Sequence, residues 1–352
     1  MSSSSPPRKF GAIWCDSTQR WPGYVESLYN QFLNPDDQLV IFKAIDGELP
    51  PLDSLSEYAG FFISGSRFSV CDATHPQWML NLRDFVYTVY RDFASPTAVV
   101  PSPFPESKTA NPMVFGFTPR TTEKVDAMLA ASDCTGRPPQ ADEAALPPTF
   151  SPPSSKTMAP PRRPKLMGFC FGHQLIAWAL GGVVGHNPDG LFHFGVQTVN
   201  LTPAFFELPY IQGMPEAEPF RHKPLLALKS HMDCVQAPPS SAHCLARSSD
   251  TQYEGLAYGT AILTTQFHPE FNPDLILQKI YPRLVQGHVL GPEQAAAAIA
   301  SLARGGAGYD PALLTPETWT KPTTPTLRPK EPLYTESEAM LRRMVNVFVH
   351  SG

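Results

Sequence analysis

Gly168-Phe169-Cys170-Phe171-Gly172-His173-Gln174 follows the short apolar run Lys165-Leu166-Met167. It leads into Leu175-Ile176-Ala177-Trp178-Ala179-Leu180, which reads as a buried helix. A cysteine between glycines, where a strand turns into a helix, is a nucleophile elbow: the glycines admit a strained backbone and leave room for a substrate. The following helix aims its unpaired N–H groups and positive dipole end at the sulfur, which favours the reactive thiolate. Further along, Gln266-Phe267-His268-Pro269-Glu270 supplies a histidine with a carboxylate two positions on. Cysteine, histidine and acid in that order imply nucleophilic catalysis at an acyl carbon.

Outward from the elbow, the chain alternates short buried strands with helices. Phe10–Cys15 and Gln38–Ile45 are apolar, β-rich runs separated by Tyr24–Leu33, whose spacing suits a helix. Ala59–Ser64 reads as a third buried strand ending in Gly65-Ser66, and Trp78–Tyr90 as an amphipathic helix. Lys165–Phe169 is a fourth strand, entering the elbow. This alternation predicts an α/β fold with an open, mainly parallel sheet flanked by helices. Active sites of such sheets gather at the carboxyl ends of strands, where both Gly65-Ser66 and Cys170 fall.

Residues 93–164 break the pattern. Pro138-Pro139, Pro147-Pro148, Pro152-Pro153 and Pro160-Pro161 stand amid Ser, Thr and Ala with few apolar runs. This composition predicts a largely disordered insertion, with Thr121–Ala131 as one short helix. A passive spacer is the simplest reading of it, and entry at the amino end of the elbow strand argues against a catalytic role. Beyond Phe271 a helix is expected over Pro273–Gln286 and an Ala-rich one near Pro292–Arg304. Thr315–Pro332 reads as a Pro/Thr-rich linker, and Glu336–His350 as a terminal helix with Met340, Leu341, Met344, Val345 and Phe348 on one face. The expected organisation is a disordered lead-in (1–9), a catalytic domain in two pieces (10–92 and 165–290), the insertion (93–164) and a C-terminal extension (291–352).

The 352 residues suffice for a large core, and the 40 prolines are roughly twice the usual share. A formal charge of −5 offers no footprint for nucleic acid or a membrane surface. No apolar stretch approaches the ~20 residues of a membrane span. The amino terminus lacks the apolar core of a secretory signal. The 6 cysteines are scattered without CxxC or metal-ligand spacing and read as reduced thiols, pointing to a cytoplasmic location without metal or other cofactor.

Gly168-x-Cys170-x-Gly172-x-Gln174 together with Phe267-His268-Pro269-Glu270 resembles the class I glutamine amidotransferase family, in particular its stand-alone members, which include plant γ-glutamyl peptidases. Phe62-Ile63-Ser64-Gly65-Ser66 sits where that family has its oxyanion strand, Gly181-Gly182 closes the elbow helix, and Ser230-His231-Met232-Asp233 resembles its Ser-His-x-Asp loop. The resemblance spans roughly residues 10–92 and 165–290. It implies a flavodoxin-like fold, Cys170 as nucleophile, His268 as general base and acid, and Glu270 as the group that orients the imidazole. It further implies backbone N–H groups of Ser66 and Phe171 as the oxyanion hole, and Gly65, Gln174, Ser230 and His231 as substrate contacts, with Asp233 supporting the loop. Free cysteine is often only a small buried residue, and a lone histidine a satisfied core group; the pairing of Cys170 with His268 and Glu270 favours the catalytic reading. His173, His186, His193 and His222 read as structural. One departure stands out: Arg67 follows Gly65-Ser66 where the family has proline, putting a charge on the rim that either pairs with a substrate carboxylate or has no role.

The implied reaction is cysteine-dependent hydrolysis of a γ-glutamyl amide, in glutamine or a γ-glutamyl peptide, through a γ-glutamyl thioester. A glutaminase subunit that passes ammonia to a separate synthetase is the first alternative, since neither a P-loop nor a Ser-Gly-Gly-x-Asp-Ser loop occurs in this sequence. A catalytically silent binding or regulatory module is the second. Which amine leaves, and the oligomeric state, are not legible.

Overall fold

The computed structural model describes residues 7–21, 23–91, 163–304 and 331–351. The expected early strands form as β1 (Lys9–Trp14), β2 (Gln38–Lys43), β3 (Gly60–Ile63) and β4 (Lys165–Phe169). Later strands are β5 (Val183–His186), β6 (His193–Leu201), β7 (Leu225–His231), β8 (Asp233–Ala237), β9 (Ala242–Arg247), β10 (Gly255–Tyr258) and β11 (Ile262–Thr265). The helices are α1 (Val25–Asn30), α2 (Gln77–Tyr90), α3 (Phe171–Ala179), α4 (Pro203–Phe206), α5 (Pro273–Lys279), α6 (Tyr281–Gln286), α7 (Pro292–Arg304) and α8 (Pro332–His350).

The main sheet runs β2-β1-β3-β4-β11-β10-β9-β6-β7, with β5 and β8 as a separate ribbon. It is open and flanked by helices. Pairing is parallel from β2 through β11, the half that carries the elbow. From β11 onward it is antiparallel, an extension that the alternation of the first strands did not announce. Along the parallel strands the side chains divide two cores. Phe10, Ala12, Phe62, Met167 and Phe169 lie in one, beside α1 and α8. Ile13, Phe61, Ile63 and Leu166 lie in the other, beside α2 and α3. Because both faces are covered, these strands are continuously apolar rather than alternating.

Two expectations change in detail. The helix expected over 273–286 is two helices meeting at Ile280. Pro282 has no N–H and its ring clashes with the carbonyl four residues earlier, so one continuous helix cannot pass through it. The lead-in ends before Lys9, which pairs with Gln38 in the sheet, and the Arg8 backbone donates to Asp37.

The terminal helix packs against β4 and β7. Ser337 Oγ accepts from Leu226 N at 2.9 Å, and Arg8 donates to the carbonyl of His350 at 2.7 Å. The buried face of α8 includes Met340, Leu341, Met344, Val345 and Phe348. The insertion expected at 93–164, apart from its last two residues and including its Thr121–Ala131 helix, and most of the Thr315–Pro332 linker lie outside the described residues. At the borders of the insertion, buried Tyr90 at the end of α2 donates to the carbonyl of Pro164 at 2.8 Å, just before β4. No helix among the described residues is long and apolar enough to cross a membrane.

Candidate active site

Cys170 stands between β4 and α3 with φ 49° and ψ −102°. Among the described residues only His288 shares a positive φ without being glycine. The strain is held because the strand and helix on either side are fixed: Cys170 N donates to Thr265 O at 2.8 Å, and its carbonyl accepts from Gln174 N at 3.0 Å. Gly172 must be glycine, since a Cβ there would stand 2.4 Å from the carbonyl oxygen of Ile63. That close approach presses the elbow helix onto β3.

The carboxyl ends of the strands bring the other groups to the sulfur. His268 and Glu270, just past β11, are 5% and 4% exposed, low enough to be withdrawn from bulk water. His268 Nδ1 lies 2.7 Å from Glu270 Oε1, so the carboxylate accepts a hydrogen bond from Nδ1–H and leaves Nε2 for other chemistry. Nε2 has no hydrogen-bond partner among the described residues. Burial opposes charge on this imidazole, but the Glu270 carboxylate and Cys170 outweigh it and push its pKa up to about 10. The ring is stacked on Phe271 with centroids 4.5 Å apart. Glu270 is itself steadied by Gln31, which donates to its backbone carbonyl at 2.8 Å. A Cβ on Gly65 would meet His268 Cε1 at 2.9 Å and Cys170 Cβ at 3.8 Å, so histidine, cysteine and the Gly65 backbone converge.

Ser66 is adjacent, its hydroxyl donating to Cys15 O at 2.6 Å and accepting from Phe68 N at 3.1 Å. Phe171 is the first residue of α3, where a backbone N–H has no acceptor within the helix. The Cys170 sulfur lies 3.6 Å from Ser230 O. Gln174 lines the same cavity, but its amide nitrogen already donates to Asp233 O at 2.7 Å and Gln266 Oε1 at 3.1 Å. It therefore ties the 230–233 segment to the elbow helix. His231 Nδ1 pairs with Asp233 O at 3.0 Å, and burial, reinforced by His193 and Lys229, holds its pKa well below the usual histidine range. Gly65, Ser66, Cys170, Gln174, Ser230, His231, His268 and Glu270 line one cavity of about 400 Å³.

His173 is fully buried beside Thr264 Oγ1, and burial pushes its pKa down to about 3. Cys15 is an inert thiol, pushed up to about 12 by burial. Arg67 is 3.7 Å from Asp16 and lies over the Phe68 ring, on the rim of the cavity. The sequence reading missed the rest of the wall: Trp14, Asp16 and Trp21 at and after the end of β1, Phe192 before β6, and Lys279, Arg283 and Leu284 from the paired helices α5 and α6. Of these, only Asp16 and Trp21 carried any signal, since they follow the carboxyl end of a parallel strand.

Residues 152–282 match the family described as Glutamine amidotransferase class-I. Gamma-glutamyl peptidase 5 of Arabidopsis thaliana is 33% identical over 33% of this chain and 44% of its own length. The glutamine-hydrolysing GMP synthase of Saccharolobus solfataricus has a subunit that is 35% identical over 30% of this chain and 50% of its own length. These two alignments thus span about half of each relative. Gamma-glutamyl peptidase 4 of Arabidopsis thaliana aligns more broadly, 25% identical over 76% of this chain and 75% of its own. The match to the class I glutamine amidotransferase family thus falls on the segment that holds the strained cysteine elbow of the parallel half of the sheet.

Proposed function

We propose that this chain is a cysteine-dependent hydrolase that cleaves γ-glutamyl amide bonds through a γ-glutamyl thioester. The observation that carries the reading is Cys170 on its strained elbow, interacting with a buried histidine whose far nitrogen is held by a carboxylate. The Cys170 thiolate attacks the δ-carbonyl carbon, and the carbonyl electrons move to oxygen. Backbone N–H groups of Ser66 and Phe171 receive that charge. As the C–N bond breaks, the His268 imidazolium delivers its proton to the departing nitrogen. Neutral His268 then takes a proton from water, hydroxide attacks the thioester, and the C–S bond breaks to return thiolate and release glutamate. Glu270 keeps the Nδ1 proton in place throughout, so Nε2 is the nitrogen that exchanges protons. Gly65, Ser230 and His231 form the floor against which the γ-glutamyl moiety lies, and Gln174 presents that floor.

A leaving group larger than ammonia is favoured because the cavity that holds Cys170 is also lined by Trp21, Phe192, Phe271 and Leu284. The match to a GMP synthase subunit favours a second reading, in which the chain is a glutaminase that supplies ammonia to a separate synthetase. A panel of glutamine, glutathione and glutathione conjugates, assayed for glutamate and for ammonia, separates the two. Turnover of peptides with poor turnover of glutamine supports the peptidase. Turnover of glutamine alone, rising when a co-purified partner is added, supports the glutaminase. Absence of any turnover, with no alkylation of Cys170 by a glutamine-analogue electrophile, would overturn both.

A further inference from the structure

Cys71, His186 and Asp233 are distant in sequence, yet each offers one ligand atom and the three atoms lie within 4.8 Å of one another. They form the one such cluster among the described residues. Their placement is built into the fold. His186 and Asp233 face each other across the antiparallel β5–β8 ribbon, so their side chains share a face. Cys71 arrives on the segment that follows Gly65-Ser66. A single hydroxyl organises two of the three: Ser69 Oγ donates to Asp233 Oδ2 and accepts from Cys71 N, the latter at 2.8 Å. Outer hydrogen bonds of this kind orient ligands in metal sites. His186 Nδ1 lies 2.7 Å from Asp233 Oδ1, and the His186 side chain is 40% exposed, which leaves an entry path from solvent. His186 and Asp233 line the cavity that contains Cys170, whereas Cys71 stands behind them, only 4% exposed.

From this geometry we propose that Cys71, His186 and Asp233 bind a zinc ion at the edge of the Cys170 cavity. One thiolate, one imidazole and one carboxylate form a donor set suited to Zn²⁺ rather than to Mg²⁺ or Ca²⁺, which take oxygen ligands. Three protein ligands leave a fourth tetrahedral position, on the side of the cavity that His186 and Asp233 line. Zinc displaces the Cys71 thiol proton, which leaves to solvent, and the imidazole binds through an unprotonated nitrogen. The ion joins the segment bearing Ser66 to the segment bearing Ser230 and His231, so it braces two opposite walls of the cavity. This site does not depend on the hydrolytic reading, and its test needs no turnover.

The test is zinc binding to the full chain carrying Cys170→Ala, which removes the catalytic thiol as a competing ligand. Calorimetry with Zn²⁺ alone should give one equivalent. Co²⁺ in its place should show a thiolate-to-cobalt charge-transfer band. Adding Cys71→Ser or His186→Ala should weaken zinc binding more than ~100-fold and, for Cys71→Ser, remove the band; Ser69→Ala should weaken it about 10–100-fold. Cys234→Ser, at the neighbouring cysteine, should leave both unchanged. If Cys71→Ser disrupts folding by circular dichroism, His186→Ala, at a partly exposed position, decides the question alone. Unaltered affinity in His186→Ala, a band that survives Cys71→Ser or vanishes with Cys234→Ser, or no stoichiometric binding at all would overturn the site.

Discussion

His268–Glu270 and Lys229–Glu254 are both buried pairs of opposite charge, and the two differ in how fully the basic partner's polar atoms are used. In the second pair, Lys229 is fully buried and all of its donors are taken: it contacts Glu254, Asp250 at 2.8 Å and Ser248 Oγ at 2.9 Å, while Glu254 Oε2 has no hydrogen-bond partner among the described residues. Burial pushes the Glu254 pKa up and Lys229 pulls against it. Neither Lys229 nor Glu254 lines the cavity. In the first pair the imidazole spends only one nitrogen on its carboxylate, and the other stays without a hydrogen-bond partner among the described residues, in the cavity that Cys170 also lines. A lysine with every donor taken holds its strand in place, whereas an imidazole with one nitrogen in reserve can exchange a proton. What separates a structural pair from a reactive one is therefore whether the unused position belongs to a residue that lines the cavity, as His268 does and Glu254 does not, rather than burial.

The comparison can be broken in four places. Cys170→Ala should lower turnover of the best γ-glutamyl substrate by ~10⁴-fold or more with no loss of fold, since no other group supplies a nucleophile. Residual turnover near the wild-type rate would mean that the reserved nitrogen of His268 serves some other group. Lys229→Met should cost about 3–5 kcal/mol in urea unfolding, because Glu254 is left buried and uncompensated. Adding Glu254→Leu should recover most of that loss; a second loss of the same size would show that the pair is not acting as a unit. Gly65→Ala, whose Cβ would press on His268 Cε1, should lower kcat by up to ~100-fold while the unfolding midpoint changes little. An equal fall in stability and activity would place the effect in packing rather than in the imidazole.

The smallest effect is on pH dependence. His268 has a folded pKa raised from 6.5 to about 10, so the stability it contributes is full below 6.5 and is lost as pH rises toward 10. Unfolding free energy of the wild type should therefore fall more steeply over that interval than that of His268→Asn. Parallel curves for the two proteins would mean that the imidazole is not held in its charged form.

The parts legible in the sequence were those encoded locally. Lys165–Phe169 entering a Gly-x-Cys-x-Gly turn places a strand, an elbow and a helix within a short stretch, and His268-Pro269-Glu270 puts an acid within reach of its base by chain geometry alone. The terminal helix was legible from its apolar face, though not its docking on β4 and β7. The illegible parts arise from pairing across long separations. Nothing near Lys229 marks Glu254 as its partner, because their meeting depends on where β7 lies relative to the turn before β10. The aromatic wall of Trp21, Phe192 and Phe271 is gathered from loops whose order in space follows the sheet, not the chain. Pro282 was visible, but the split at Ile280 was masked by an apolar spacing that continues through it.

By itself, then, the sequence determined the cysteine elbow and the histidine with a carboxylate two positions on, since strain, spacing and dipole are properties of short segments. The tertiary structure alone decided which polar groups are saturated and which are left to react, how far the cavity extends beyond the sulfur, and that Cys71, His186 and Asp233 meet. Those are properties of strand order and register, and a chain acquires them only when residues far apart in sequence are packed side by side.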